Sequence, residues 1–182
     1  TKVWTNGMEK GIDEMNMSFQ KLRCQNMELM QIHNLVDTDV HLETLKSWKS
    51  EGRIKYIGIT HYSHSAFGEL GSYIKTEPEI DFCQFPYSIE RRSAETYFLK
   101  FCADYGVATL INCPFEQDGL FLGIHRKKLP EWAGHLGIES WAQYFLKYLL
   151  ADQSVTCLIP ATSNPSHMAD NLKAGIGPLP DL

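Results

Sequence analysis

Residues 27–34, MELMQIHN, give the clearest indication of the fold class. Side chains alternate between the two faces of a β-strand, so Gln31 and His33 share one face, whereas Met30 and Ile32 share the other. The first face therefore becomes polar toward the carboxyl end of the strand, and the second is apolar. A (β/α) barrel requires such strands, because their outer face packs against helices and their inward tips build the site.

His33 is the residue for which we most expect a functional role. An imidazole changes charge near neutral pH and can donate or accept a hydrogen bond at a reacting group. The alternative is a buried core histidine whose hydrogen bonds are satisfied by neighbours. The residues alone leave both interpretations open.

Composition limits the classes of function. The chain has 182 residues, of which 43% are hydrophobic and 21% charged, as in a single globular domain. The net charge of −5 and the lack of a long Lys/Arg run or basic stripe argue against nucleic acid or an anionic membrane as partner. No apolar run approaches the roughly 20 residues of a membrane-spanning helix. The odd number of cysteines, with no CxxC, indicates reduced thiols and a cytoplasmic location.

Predicted strands alternate with predicted helices and recur about every 27 residues, except at the last interval. Their midpoints lie near Val3, Met30, Ile57, Gln84, Leu110 and Leu158. This alternation predicts a parallel sheet built from about six βα units. We also expect one helix over residues 94–105 and a strand over residues 155–160.

A closed (β/α)8 TIM barrel has eight such units. Either the first two precede Thr1, or the sheet is open and doubly wound. No GxGxxG follows any strand, so the dinucleotide fingerprint of the open fold is missing. We therefore expect one domain over residues 1–182, a TIM barrel that lacks its first two units.

Polar residues gather just after the predicted strands, where a barrel places its ligand site. Polar residues commonly begin loops, and this alone would explain some of these positions. The residues at these positions are His33, Asn34, Thr60, His61, Gln84, Asn112, Thr162 and Ser163.

The last unit places the hydroxyl-rich turn 161–164 before a predicted helix. Backbone N–H groups and the helix dipole at such a position suit a phosphate. An ordinary helix cap is the equal alternative, because Ser, Thr and Asn are all favoured caps.

Four histidines raise the question of a metal site: His33, His41, His61 and His64 follow two adjacent strands. A zinc site of this kind normally adds carboxylates or thiolates in register. No HxH or HExxH pattern is present. We expect no metal.

Several segments in chain order resemble successive landmarks of the aldo-keto reductases, from the third barrel strand onward. These segments are residues 1–4, 31–33, 52–60, 159–162 and 171–172. The resemblance implies a (β/α)8 barrel that binds NADPH without a Rossmann motif and transfers hydride between nicotinamide and a carbonyl or alcohol.

By this resemblance, Lys2 matches the catalytic lysine and His33 the catalytic histidine, while Trp4 lines the substrate pocket. We also expect Asn34, which follows His33, to contact substrate. The family's tyrosine proton donor, whose pKa is lowered by the lysine, and the aspartate that holds that lysine belong to a unit that would precede Thr1. We therefore expect the 182-residue chain alone to have little reductase activity.

The resemblance assigns the nicotinamide amide to Thr60, His61 and Gln84. His61 stands where the family usually has asparagine, but an imidazole can still donate one hydrogen bond. Asn112 stands where a stacking tyrosine is common, which removes on the order of 1 kcal/mol of cofactor contact.

The resemblance assigns the phosphate and adenosine end of the cofactor to the final βα unit. Thr162, Ser163, Asp170 and Asn171 match phosphate and adenosine contacts. Ala161 and His167 replace the lysine and arginine that often grip the 2′-phosphate, and a histidine is a poorer phosphate ligand than arginine. We expect NADP(H), with NAD(H) still possible.

The sequence thus predicts an oxidoreductase acting on an aldehyde, a ketone or an alcohol. One alternative is a non-catalytic barrel of the same family that binds nucleotide or a protein partner. Another is an unrelated barrel enzyme whose last turn binds a phosphorylated metabolite. The residues do not specify the substrate or the oligomeric state.

Overall fold

The computed structural model describes residues 1–181, and strands alternate with helices along this part of the chain. The strands are β1 (Lys2–Val3), β2 (Met27–Ile32), β3 (Ile54–Thr60), β4 (Ile80–Pro86), β5 (Ala108–Asn112) and β6 (Cys157–Leu158). The α-helices are α1 (Met8–Leu22), α2 (Thr38–Ser50), α3 (Phe67–Thr76), α4 (Ser93–Thr96), α5 (Phe98–Asp104), α6 (Gly119–Gly123), α7 (Trp141–Leu150) and α8 (Pro165–Lys173). Short 3₁₀ turns cover His33–Leu35, His64–Ala66 and Glu131–Leu136.

Two compact lobes divide the chain. The first lobe comprises Thr1–Phe85 and Phe101–Ala108, and the second comprises the remaining described residues. In the first lobe, β1, β2, β3 and β4 are hydrogen-bonded neighbours in that order, and every pair is parallel. In the second lobe, β5 pairs with β6, also in parallel. The predicted parallel βα architecture is confirmed.

One face of the first lobe's sheet is apolar. A single row of fully buried side chains crosses all four strands in register, formed by Val3, Ile32, Ile59 and Cys83. Burying one aliphatic side chain of this size contributes about 1.5–3 kcal/mol. Because side chains alternate, the polar residues between these positions are on the opposite face.

Helices α1 and α2 pack closely in the first lobe through a glycine. Gly11 is buried on α1, and a Cβ added there would lie 2.4 Å from Cε1 of His41 on α2. His41 is fully buried and forms a hydrogen bond through Nε2 with the carbonyl oxygen of Thr5 (2.7 Å). The missing side chain at Gly11 therefore makes room for a ring that holds the segment after β1.

Three boundaries differ from the sequence prediction. Strand β2 ends at Ile32, although the alternating pattern of the sequence continues through His33, because Asn34 and Leu35 adopt left-handed backbone angles (φ 53° and 54°) that turn the chain. The helix predicted over residues 94–105 is broken at Tyr97 (φ −158°, ψ −30°) into α4 and α5. The break follows Glu95, whose carboxylate accepts hydrogen bonds from neighbouring side chains and fixes the short α4 turn.

Strand β6 is also shorter than the predicted strand 155–160. The backbone N–H of Thr156 donates to the side-chain hydroxyl of Thr109 (3.0 Å), so regular pairing has not yet begun there. The N–H of Ile159 still donates to the carbonyl oxygen of Ile111 (2.8 Å). Pro160 has no N–H to continue the ladder, and pairing stops.

Candidate active site

The first lobe places Lys2 and His33 on one face of the sheet. Lys2 on β1 is aligned with Gln31 on β2, and aligned residues of parallel strands point to the same side. His33 comes two residues after Gln31, and the intervening Ile32 is still extended (φ −88°, ψ 121°). The two predicted catalytic side chains therefore lie on the face opposite the apolar row.

The charges at this face favour a neutral imidazole. Burial lowers the pKa of His33, and the positive charge of Lys2 and the ring of His61 lower it further, while Glu14 acts in the opposite direction. Burial also lowers the pKa of Lys2. A neutral imidazole beside an ammonium can donate a hydrogen bond to a polarised oxygen.

Trp4 packs against His33. The two rings meet edge to face, with centroids 4.9 Å apart and an interplanar angle of 85°. Trp4 remains 61% exposed, so much of its surface is open to a ligand. Its backbone N–H donates to both carboxylate oxygens of Glu14 (3.2 Å each).

Three side chains that the sequence analysis did not assign hold the segment 4–7. Glu14 accepts from the N–H of Trp4, His41 binds the carbonyl of Thr5, and Asp37 accepts from the N–H of Gly7 (2.6 Å). The sequence offers little signal for these contacts, because each joins residues at least ten positions apart.

Asn34 has a constrained backbone directly beside His33. Its φ of 53° lies in the left-handed region, and its N–H donates to the hydroxyl of Thr60 (3.2 Å). The side-chain oxygen Oδ1 is buried and has no hydrogen-bond partner within residues 1–181. Such an oxygen is available to a donor on a ligand, which supports the substrate-binding prediction.

Thr60 and His61 follow on the next strand. Thr60 is 1% exposed, and its hydroxyl already supports Asn34. Nδ1 of His61 accepts the N–H of Ser63 (2.9 Å), so a neutral His61 carries its proton on Nε2 and can donate from there. The ring of His61 stacks on Tyr62, with centroids 5.1 Å apart.

Gln84 is aligned with Thr60 and is 5% exposed, which places its amide on the same face. Its backbone oxygen accepts the N–H of His61 (3.0 Å). Its side-chain oxygen accepts the amide of Gln31 (3.3 Å), a contact that the sequence analysis missed. The first lobe thus contains all seven of its predicted site residues, from Lys2 on β1 to Gln84 on β4, on its parallel strands or directly after them.

The remaining predicted cofactor residues belong to the second lobe. Asn112 ends β5, and its Oδ1 is buried without a hydrogen-bond partner among the described residues. Its backbone oxygen accepts the N–H of Tyr87 (3.3 Å). The free amide oxygen is the feature of Asn112 that suits a ligand.

A cavity of about 270 Å³ in the second lobe collects four of the five residues predicted for the nucleotide end. Thr162, His167, Asp170 and Asn171 line it, whereas Ser163 does not. Two aromatic rings, Phe115 and Phe121, also contribute to its wall, with centroids 5.1 Å apart. Its lining residues include two aspartates and no lysine or arginine.

The polar groups of this cavity are partly engaged by the protein. Asp170 accepts a hydrogen bond on each carboxylate oxygen, from the hydroxyl of Ser140 (2.5 Å) and from the amide of Gln143 (2.6 Å). Asn171 is 7% exposed, and its amide donates to the carbonyl of Pro160 (3.4 Å). Asp170 therefore joins α7 to α8 in addition to lining the cavity.

The turn before α8 contains the helix cap. Asn164 is the capping residue, and its side chain accepts the N–H of Ser166 (2.9 Å). The hydroxyl of Thr162 accepts the N–H of Asn164 (3.1 Å). Ser163 and His167 are exposed and remain accessible to a phosphate.

Within residues 1–181, no group of three or more His, Cys, Asp or Glu side chains is placed to hold a metal ion. No helix in this part of the chain combines the length and apolar character needed to cross a bilayer.

Comparison with known proteins agrees with this architecture. A profile of the aldo/keto reductase family matches residues 1–181. An uncharacterized oxidoreductase of Schizosaccharomyces pombe is 23% identical over 169 residues, which are 88% of this chain and 51% of that protein. The chain therefore spans about half the length of this curated relative.

Solved structures share the fold. An aldo-keto reductase from Klebsiella pneumoniae in complex with NADPH superposes with a TM-score of 0.75 at 18% identity, covering 96% of this chain and 62% of that one. The apo form of an aldo-keto reductase from Bacillus halodurans gives a TM-score of 0.74 at 24% identity, and the match covers 99% of this chain and 66% of that one. Together with the family profile over nearly every residue, these matches show that the chain belongs to the aldo/keto reductase family.

Proposed function

We propose that this chain belongs to an oxidoreductase that transfers hydride between NADP(H), or alternatively NAD(H), and an aldehyde, a ketone or an alcohol. The observation that carries the proposal is the shared sheet face of Lys2, His33, Thr60 and Gln84. That face combines a cation, a neutral imidazole and amide groups, which are the groups that carbonyl reduction beside a nicotinamide ring requires.

The side chains have separate tasks in this proposal. A dihydronicotinamide held at this face would supply the hydride. His33 donates a hydrogen bond to the carbonyl oxygen and orients it, and the nearby charge of Lys2 stabilises the negative charge that develops on that oxygen. Trp4 and Asn34 contact the substrate, the former through its exposed ring and the latter through its free side-chain oxygen.

The residues fit a nicotinamide nucleotide. In the first lobe, Nε2 of Gln84 has no hydrogen-bond partner within residues 1–181, and Nε2 of His61 is a free donor. We assign these donors and Thr60 to the carboxamide. In the second lobe, Asn112 offers a buried oxygen with no partner among the described residues, and the aromatic and hydrogen-bonding lining of the 270 Å³ cavity suits the adenosine of the nucleotide. The two aspartates of this cavity, without a lysine or arginine, do not suit a phosphate group. The Klebsiella pneumoniae relative binds NADPH, which supports NADP(H) as the cofactor.

The second candidate is a non-catalytic, nucleotide-binding member of the family. Lys2 makes no ion pair within residues 1–181, and the described residues place no tyrosine hydroxyl in a hydrogen bond with Lys2 or His33. A proton donor for turnover would have to come from residues other than those assigned here. The free thiols of all five cysteines support a cytoplasmic location for either candidate.

Titration of the full-length protein with NADPH, followed by nucleotide fluorescence, tests the proposal. Saturable binding together with NADPH oxidation upon addition of an aldehyde or ketone would support the reductase. Saturable binding with no turnover across a carbonyl panel would favour the non-catalytic candidate. If NADPH and NADH fail to bind while a sugar phosphate binds, both candidates are wrong.

A further inference from the structure

A pair of glutamine side chains spans the site face of the first lobe. Nε2 of Gln31 on β2 donates to Oε1 of Gln84 on β4 (3.3 Å), and both residues are 5% exposed. The two strands are not neighbours, because β3 lies between them. Gln31 therefore reaches across a whole strand to contact Gln84.

Gly58 makes this reach possible. It is aligned with Gln31 in the register of β2 and β3, so any side chain at position 58 would stand between the two glutamines. A Cβ added there would lie 2.8 Å from Cγ of Gln31, 3.1 Å from its Oε1 and 3.2 Å from the carbonyl oxygen of Phe82. The side chain of Gln31 thus occupies the space that the glycine leaves.

A register shift between β3 and β4 brings Gln84 to this face. Ile57 is aligned with Ile80 but Gly58 with Phe82, so Asp81 has no partner in the ladder. Its carboxylate instead accepts the N–H of Ile57 (2.8 Å) and the ammonium of Lys49 (2.6 Å). Without the shift, Cys83 would be aligned with Thr60, and Gln84 would point to the apolar face.

The direction of the hydrogen bond determines what Gln84 can offer a ligand. Its oxygen is engaged by Gln31, whereas its Nε2 has no partner within residues 1–181. Oε1 of Gln31 is buried and also unpartnered there. A primary amide held through its oxygen presents donors only.

We propose that Gln31 is a positioning residue that fixes the direction of the Gln84 amide, so that Gln84 donates to the carboxamide carbonyl of a nicotinamide ring. This inference rests on the proposed function, because it assumes that Gln84 contacts the carboxamide. Gln31 itself acts through Gln84 and does not touch the cofactor.

The substitution Gln31→Glu tests the direction of the amide. A carboxylate only accepts hydrogen bonds, so Gln84 would turn its Nε2 toward position 31 and present its oxygen to the ligand. The probes are NADP⁺ and its 3-acetylpyridine analogue, which keeps the carbonyl but has a methyl group in place of the amide NH2. Both carry the same charge, so their affinity ratio isolates the hydrogen bond.

We expect the wild-type protein to bind the two probes with similar Kd. In Gln31→Glu, the analogue should lose affinity relative to NADP⁺ by about fivefold, because it cannot donate to the reversed amide. The same substitution at Gln20, which is exposed on α1, should leave the ratio unchanged.

Two further variants test the role of Gln31 even if Gln31→Glu does not fold. Gln31→Met keeps the length of the side chain but removes its donor, and we expect NADP⁺ affinity to fall by about fivefold. Gly58→Ala should weaken binding in the same direction, since it displaces Gln31.

The outcomes separate the two proposals. If the wild-type protein binds neither probe, the proposed function fails and this inference with it. If the wild-type protein binds NADP⁺, but Gln31→Glu leaves the ratio unchanged and Gln31→Met leaves the affinity unchanged, only the role of Gln31 is wrong.

Discussion

The ammonium of Lys2 and the imidazole of His33 share one face of the sheet in the first lobe, and the pKa of His33 lies below its usual value because of burial and the charge of Lys2. This relationship joins the two predicted catalytic groups in one electrostatic environment. It keeps the imidazole neutral near physiological pH, where it can donate a hydrogen bond without carrying a charge.

Replacing His33 by Ala should lower turnover far more than it weakens cofactor binding. We expect kcat to fall by at least about a hundredfold, because a hydrogen bond to the developing oxyanion is lost. The Kd for NADPH should change by less than about threefold, since no contact with the nucleotide is removed. Steady-state kinetics and fluorescence titration of the full-length protein measure both quantities. The exposed His125→Ala is the control, and equal losses in kcat and Kd for His33→Ala would contradict a catalytic role.

Removing the charge of Lys2 should raise the pKa of His33. Lys2→Met deletes a positive charge that disfavours imidazolium, so the midpoint of the His33 titration should move to higher pH. Glu14→Gln should move it to lower pH, because Glu14 favours the protonated ring. NMR titration of the imidazole protons reports both shifts. Shifts of the same sign in the two variants would show that the charges of Lys2 and Glu14 do not act on His33 as inferred.

Gly11→Ala should destabilise the first lobe. The new methyl group would overlap the buried ring of His41, and overpacking of this kind costs about 1–3 kcal/mol. Gly68 in α3 provides a matched control, because a Cβ there meets nothing within 4 Å and its φ is not positive. Gly68→Ala should stabilise by about 0.5–1 kcal/mol. Denaturant unfolding measures the free energy of unfolding of both variants. Similar changes in Gly11→Ala and Gly68→Ala would refute the close packing at Gly11.

The Glu95 carboxylate should make the second lobe sensitive to acid. It accepts hydrogen bonds from Arg92, Tyr87 (2.7 Å) and Tyr148 (2.9 Å). Burial alone would raise its pKa, but these hydrogen bonds outweigh burial and hold the pKa below its usual value. A carboxyl with a depressed folded pKa contributes stability above its unfolded pKa and loses it as the pH falls through the folded value.

We therefore expect the wild-type protein to lose stability as the pH falls below about 4.5, and Glu95→Gln to lose less over the same interval. Tyr87→Phe should cost about 1–3 kcal/mol at neutral pH, because a hydrogen bond to a charged group is removed. Urea unfolding at several pH values measures these effects. Tyr105→Phe, at an exposed position, serves as control. If stability depends on pH in the same way in the wild-type protein and in Glu95→Gln, the Glu95 carboxylate is not the source of the acid sensitivity.

Sequence patterns predicted the fold class and the strands that carry most of the candidate site residues. Alternating apolar and polar positions in Met27–Asn34 fix which side chains face inward, because the period of a strand is two. The recurrence of such strands specified a parallel βα architecture, and the polar residues after them marked the strand ends at which His33, Thr60 and Gln84 are found.

The contacts that support these residues arise from the pairing of separate strands and could not be predicted from local sequence. The register shift at Asp81 puts Gln84 on the site face, and the space above Gly58 lets Gln31 contact it. These features depend on hydrogen bonds and steric contacts between residues more than twenty positions apart. Local sequence patterns report the periodicity of one element at a time, so pairing between elements becomes visible only when the strands are assembled.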